Sequence, residues 1–298
     1  MPSVAGRIMK GQIKLLKPIL KRLDIKAQRK LQDALGELKA KVIGDQIHYE
    51  NEFFADFDAS WAIPENYLHD SVILYLHGGG YTAGSIDYAK GFGGVLAKNA
   101  SLKTLCISYR LAPEYEYPCA LDDALAAYKR ILKKYSADKI ALVGESAGGG
   151  LCYALALKLR DTGIPLPACI SAISPWTDLT MSSPSYITNK EDDPVLFKDD
   201  LEYFAQVYAG QNKSDIYVSP LLANLKGLPP SQIHVGSQEI LLDDSVKMAD
   251  KLNDAGSPCA VTIKDGMWHV YVLYGIPEAK EALQDIVDFL HQHLLEKR

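Results

Sequence analysis

Gly144-Glu145-Ser146-Ala147-Gly148 sets a serine between two glycines at the spacing G-x-S-x-G. A serine hydroxyl attacks a carbonyl only if a base takes its proton and donors hold the charge that forms. The spacing suits a tight turn between a strand and a helix. Glycines fit the flanking positions, where side chains would collide. The serine is then held exposed at a helix N-terminus, where the dipole favours negative charge. A bare G-x-S-x-G is a weak signal. Here the strand-like run Lys139–Val143 leads into it and the helix-compatible run Leu151–Leu159 follows, which makes it a strong one.

A second motif, His77-Gly78-Gly79-Gly80-Tyr81, follows the apolar run Val72–Leu76. Acyl transfer passes through a tetrahedral oxyanion, and glycines let backbone N–H groups approach it closely. Gly78 and Gly79, with Gly80 as a further candidate, are the expected donors, and the Ala147 N–H completes the hole. A phosphate-binding loop would need Gly-Lys-Ser/Thr or G-x-G-x-x-G at a helix start, and neither follows. His77 is expected to brace this loop by hydrogen bonding rather than to act as a base.

The third motif is Trp268-His269-Val270, in a loop after the last strand-like run. In the chain order nucleophile, acid, histidine, His269 stands in the last place. His48, His69, His234, His291 and His293 lie in or beside strands, or on the terminal helix, and read as surface or packing residues. The acid belongs in the loop after Gln232–Val235, where Glu239 and Asp243 are the candidates. Glu239, three residues past Gly236, is favoured. Asp243 and Asp244 open a helical pattern, where acids are expected as caps or partners of the helix dipole. Asp265, four residues before His269, falls in the wrong loop for this order.

These residues need a scaffold. Short apolar runs recur at Val72–Leu76, Thr104–Tyr109, Lys139–Val143, Ala168–Ser174, Gln232–Val235 and Cys259–Ile263. Such runs read as strands buried on both faces. Helical patterns near 87–99, 120–135, 147–160, 243–255 and 278–295 punctuate them. The alternation predicts an α/β fold: a mostly parallel sheet with helices on both faces. Asn51–Phe57 is read as an early antiparallel edge strand. Two stretches stand outside the pattern, residues 1–45 and the aromatic-rich 177–218. The chain is therefore one domain with a cap built from those two.

Composition narrows the class. The chain has 298 residues and a net charge of −5, with no nucleic-acid signature. No apolar run nears the roughly 18 residues of a membrane span, and no secretory pattern opens the chain, so a cytoplasmic location is expected. Five cysteines without C-x-x-C spacing read as small buried hydrophobes, not as a metal site. Residues 1–41 carry a charge of +8 and the remainder −13. Membrane contact through this basic segment is weighed against a cap helix with one packed face. The cap is favoured, with Leu16, Ile19, Leu20 and Leu23 packed over the site. A homodimer is compatible with the sequence.

Together His77-Gly78-Gly79-Gly80, Tyr109-Arg110-Leu111-Ala112-Pro113-Glu114 and Gly144-Glu145-Ser146-Ala147-Gly148 resemble the hormone-sensitive-lipase family of esterases, bacterial family IV. Ser174-Pro175-Trp176-Thr177-Asp178 and Ser219-Pro220-Leu221-Leu222 resemble further landmarks of that family, and the likeness runs from about residue 70 to the C-terminus. It implies an α/β-hydrolase fold with a helical cap and cofactor-free, metal-free hydrolysis of small carboxylic esters, usually with short acyl chains. It also places Glu239 where the family's triad aspartate usually stands. The departures are Glu145 in place of the more usual Asp, and Glu239-Ile240 in place of Asp-Pro. Two rivals share the scaffold: a catalytically idle small-molecule-binding module, and a deacetylase of an acetylated sugar or natural product.

Overall fold

The six apolar runs form the parallel strands of an eight-stranded sheet in the computed structural model, which describes residues 1–295. In chain order the elements are α1 (Val4–Leu20), α2 (Ile25–Ile43), β1 (Ile47–Phe53), β2 (Asp58–Pro64), β3 (Leu68–Leu76), α3 (Ile86–Ala100), β4 (Leu102–Ser108), α4 (Cys119–Ile131), β5 (Ile140–Glu145), α5 (Ala147–Asp161), β6 (Cys169–Ile173), α6 (Ser185–Thr188), α7 (Lys198–Ala209), β7 (Ser231–Gly236), α8 (Leu242–Asp254), β8 (Cys259–Lys264) and α9 (Pro277–Leu294). The sheet order is β1-β2-β4-β3-β5-β6-β7-β8. From β4 to β8 every pair is parallel, whereas β1–β2 and β2–β4 are antiparallel.

Near-continuous hydrophobicity has its expected cause. Along β3, Leu74 faces one apolar cluster, while Ile73 and Tyr75 face another on the opposite side of the sheet. The first cluster is covered by α4, α5 and α8, the second by α3 and α9. Every residue of β5 is buried. Leu142 at its centre is worth roughly 1.5–3 kcal/mol in transfer from water. This places the end of β5, where Ser146 sits, at the middle of the sheet.

The edge differs from the sequence reading. Residues 51–57 do not form one strand; they straddle a hairpin, and β1 ends at Phe53 before β2 begins at Asp58. Phe54 and Phe57 stack at 4.4 Å between ring centroids. Their apolarity serves packing in the turn, which a strand pattern imitates.

The N-terminal pair of helices is tied down by polar contacts. Ser3 caps α1 through the Gly6 N–H and bonds Glu278 of α9 through both its own N–H and its hydroxyl. Asp24 caps α2. Arg29 donates to the carbonyls of Thr82 and Ala112 and makes a bidentate pair with Glu114. Helix α2 crosses α3 closely at Gly36, where a Cβ would come within 2.4 Å of the Asp87 carbonyl. The expected packing of α1 holds only in part. Leu20 and Leu23 line a cavity, but Leu16 and Ile19 are more than half exposed. The inward side of α1 is instead taken by Met9, Ile13 and Leu20. Among the described residues no helix is long and apolar enough to cross a membrane.

Candidate active site

The strand β5 turns into α5 through Ser146, whose φ of 55° and ψ of −122° lie outside the ordinary regions for a residue with a side chain. Such strain costs of order 1–3 kcal/mol. It is held by the Ser146 N–H to the Ile173 carbonyl and by the Trp176 N–H to the Ser146 carbonyl, each at 2.9 Å. The flanking glycines are required sterically. A Cβ on Gly148 would meet the Leu76 carbonyl oxygen at 2.0 Å, and one on Gly144 the Gly148 carbonyl at 2.4 Å.

His269 Nε2 lies 3.0 Å from Ser146 Oγ, and His269 Nδ1 lies 2.9 Å from Glu239 Oε2. All three side chains are buried. The other carboxylate oxygen, Oε1, accepts the Gly236 N–H at 2.5 Å and the Ser174 hydroxyl at 2.9 Å. Ser174 in turn accepts the Val270 N–H, so one hydroxyl joins the carboxylate to the histidine loop. This contact arrangement keeps Nδ1 as the donor and leaves Nε2 free to accept from Ser146.

Asp243 does not reach this group. Its carboxylate accepts the Ser185 N–H at 2.8 Å, and Asp244 accepts the N–H groups of Thr177 and Asp178 and the hydroxyl of Tyr186. Both stand in the first turn of α8, as partners of the helix dipole rather than as its cap. Both carboxylates hold the segment after β6, because that segment packs over the start of α8.

The glycine loop also differs from expectation at one position. The Gly78 N–H donates to Glu145 Oε1 at 2.7 Å and is therefore committed within the protein. The N–H groups of Gly79, Gly80 and Ala147 donate to no protein acceptor among the described residues. Glu145 also accepts from Tyr75 and Tyr88. Burial raises the proton affinity of its carboxyl to about 7 against these three donors. The Glu145 side chain thus pins the loop from beneath. His77 lies under it, with Nδ1 donating to the Gly78 carbonyl at 2.6 Å and its ring stacked on Tyr109 at 4.3 Å. Burial pushes the imidazole down to about 4, so it is neutral at pH 7. The remaining histidines lie elsewhere. His234 is buried in β7, His48 pairs with Glu50 on the surface, and His291 meets the Ala100 carbonyl. His293 meets the Phe289 ring edge-on in α9, and the side chain of His69 lies outside the described residues.

Above Ser146 is a cavity of about 460 Å³, within the range of small-molecule sites. Leu20, Leu23, Leu31 and Leu35 of the N-terminal segment line one side. Val195, Leu196, Phe197, Leu201 and Phe204 of the 177–218 stretch line the other. Three supporting residues were not singled out from sequence. Asn189 donates to the carbonyls of Ser237 and Glu239, and Asp193 accepts the Ile240 N–H, so both grip the turn that carries Glu239. Ser174 is the third. It stood within a family landmark, whereas Asn189 and Asp193 lie in a stretch with no periodicity to mark them.

A family model described as an alpha/beta hydrolase fold matches residues 73–273. An acetyl-hydrolase of Streptomyces hygroscopicus is 36% identical, covering 78% of this chain and 79% of that protein. An ethyl acetate hydrolase of Pseudomonas putida is 33% identical, covering 76% and 74%. The crystal structure of an esterase from the bacterial hormone-sensitive lipase family superposes with a TM-score of 0.92 at 34% identity, covering 99% of each chain.

Proposed function

Because this chain belongs to the hormone-sensitive-lipase family of α/β-hydrolases and is a carboxylic ester hydrolase, we propose that it works through a Ser146–His269–Glu239 triad on esters with short acyl chains. The observation that carries the reading is the unbroken contact from Glu239 Oε2 through His269 to Ser146 Oγ, at 2.9 and 3.0 Å. His269 takes the serine proton through Nε2 as Oγ attacks the ester carbonyl. Gly79, Gly80 and Ala147 supply N–H groups to the oxyanion. Protonated His269 then gives its proton to the leaving alcohol, and water hydrolyses the acyl-enzyme by the same path in reverse. Glu239 holds the imidazole in the productive tautomer and stabilises it when charged. No step calls for a metal or an organic cofactor.

In this reading residues 1–45 and 177–218 are the cap that closes the cavity over Ser146. Each methylene buried there contributes roughly 0.8 kcal/mol until the space is full, so turnover efficiency rises with acyl length and then falls. Three of the five cysteines, Cys106, Cys152 and Cys169, are buried as small apolar groups in the core. A catalytically idle binding module gives no reason for His269 to sit within hydrogen-bond reach of a strained serine. Deacetylation of a larger alcohol uses the same chemistry and differs only in what the cavity holds. The similarity to an acetyl-hydrolase favours small acyl groups in either case.

The test is a p-nitrophenyl ester panel from acetate to palmitate, run beside Ser146→Ala. Efficiency should peak between about two and eight carbons, and the folded variant should lose on the order of 10⁴-fold or more. A peak at palmitate would overturn the acyl preference, and near-native turnover by the variant would overturn the mechanism.

A further inference from the structure

Helix α2 buries Ile43 but turns part of its apolar surface outward. Leu38 and Val42 point to solvent at 59% and 78% exposure, while Gln32 and Lys39 are turned toward the cavity that holds Ser146. Burial of apolar groups would favour the opposite rotation. The rotation is enforced at Gly36, whose contact with α3 fixes which side of α2 faces inward. The inward polar groups are poorly matched by the protein. Gln32 Oε1 is buried beside Gly79 with no hydrogen-bond partner among the described residues.

Lys39 is the sharper case. Its ammonium donates to the Leu273 carbonyl at 2.8 Å and lies 5.9 Å from the centre of the Phe92 ring. It makes no ion pair among the described residues, unlike Lys21 and Lys41, which pair with Asp199 and Glu37. The acid that acts on it most is Glu145, whose carboxylate is already shared among Tyr75, Tyr88 and the Gly78 N–H. Burial lowers the lysine to about 8, so the charged form still dominates at pH 7. A lysine can usually extend its stem to carry the charge into water. This one turns its ammonium toward the cavity and the Phe92 ring, and among the described residues its only hydrogen bond is to the Leu273 carbonyl. A half-buried cation without an ion-pair partner among the described residues is costly, and an incoming anion removes that cost.

We propose that Lys39 forms an anion subsite of the active-site cavity, and that the preferred substrates are short esters carrying a free carboxylate. The inference rests on the triad reading for the position of the reacting ester. The carboxylate belongs to either the acyl or the alcohol half of the ester, and the experiment separates the two.

In the acyl arm, kcat/KM is measured at pH 7 for p-nitrophenyl monoesters of succinic, glutaric and adipic acids against neutral esters of equal length. In the alcohol arm, acetate esters of hydroxy acids are compared with acetates of simple alcohols. Each enzyme is read as the ratio of acidic to neutral ester, so that a loss common to both substrates cancels. In one arm the ratio should fall by about 10-fold or more from wild type to Lys39→Met, as expected for losing a charge-assisted hydrogen bond. Lys39→Arg should keep a higher ratio than Lys39→Met. Ratios unchanged within twofold in both arms would overturn the subsite while leaving ester hydrolysis untouched. Failure to hydrolyse any ester would instead overturn the function proposed above. A measurement on wild type needs no variant to fold: pentanoate should inhibit neutral-ester hydrolysis competitively where pentanamide at equal concentration does not. Equal inhibition by the two would count against the proposal.

Discussion

Replacing Glu239 by glutamine tests the site most directly, because the surroundings dictate how the new amide must lie. In the native protein Oε1 accepts the Gly236 N–H at 2.5 Å and the Ser174 hydroxyl at 2.9 Å. A backbone N–H cannot become an acceptor, so the amide nitrogen cannot take that place. The glutamine carbonyl must stay on Gly236, and its NH₂ must then face His269 Nδ1, which the native Oε2 meets at 2.9 Å. An NH₂ there donates to Nδ1 and drives the proton to Nε2. Nε2 then has no lone pair for the Ser146 proton, although every atom remains in place. Trapping the wrong tautomer costs about 10⁴-fold in a serine protease, which corresponds to about 5 kcal/mol of activation free energy. The same loss in kcat is expected for Glu239→Gln with p-nitrophenyl butyrate, with native circular dichroism and a melting temperature within a few degrees of wild type. Asp243→Asn is the control. It weakens one hydrogen bond, to the Ser185 N–H, and should lose less than about 10-fold. A folded Glu239→Gln enzyme within 10-fold of wild type, or a dead Asp243→Asn enzyme, would refute the reasoning.

Further outcomes follow from the same contacts. Gly36→Val places atoms inside the backbone of Asp87 and Tyr88, so α2 must lift from α3; overpacking of this kind costs about 1–3 kcal/mol, visible as a lower melting temperature, and unchanged stability would show the crossing to be loose. Deleting residues 1–41 removes Leu20, Leu23 and the Arg29 bonds to the glycine loop and Glu114, so KM for a short soluble ester should rise at least about tenfold, the loss expected from a single apolar contact worth about 1.5 kcal/mol. Unchanged soluble-ester kinetics, together with loss of binding to anionic vesicles, would favour a membrane role for that segment. His234 is buried with no hydrogen-bond partner among the described residues, and burial lowers it to about 4 from an ordinary 6.5. The unfolded chain therefore binds the extra proton between those values, and stability is lost as pH falls through 6.5 toward 4. Relative to wild type, His234→Gln should gain about 2 kcal/mol between pH 7.5 and pH 5, as read from denaturant unfolding; a difference that does not change with pH would rule this out.

Much of the candidate site is legible in the sequence, because it is written in short motifs with local causes. The Ser146 turn needs small residues two positions either side, and the donor loop needs consecutive glycines at a strand end; both are properties of a few adjacent residues. The parallel strands were legible because burial on both faces leaves an unbroken apolar run. Other decisions came from residues far apart in the chain. Distance past the strand favours Glu239 over Asp243, but only the fold sets one against His269 and the other against Ser185. Gly78 and Gly79 look alike in sequence. Glu145, 67 residues on, occupies the N–H of the first and leaves the second unpaired. The amphipathic pattern of residues 1–43 could not say which way its helices turn, since an apolar stripe marks a face without naming its neighbour. The close crossing at Gly36 made that choice, leaving Leu38 outside and bringing Lys39 to the cavity.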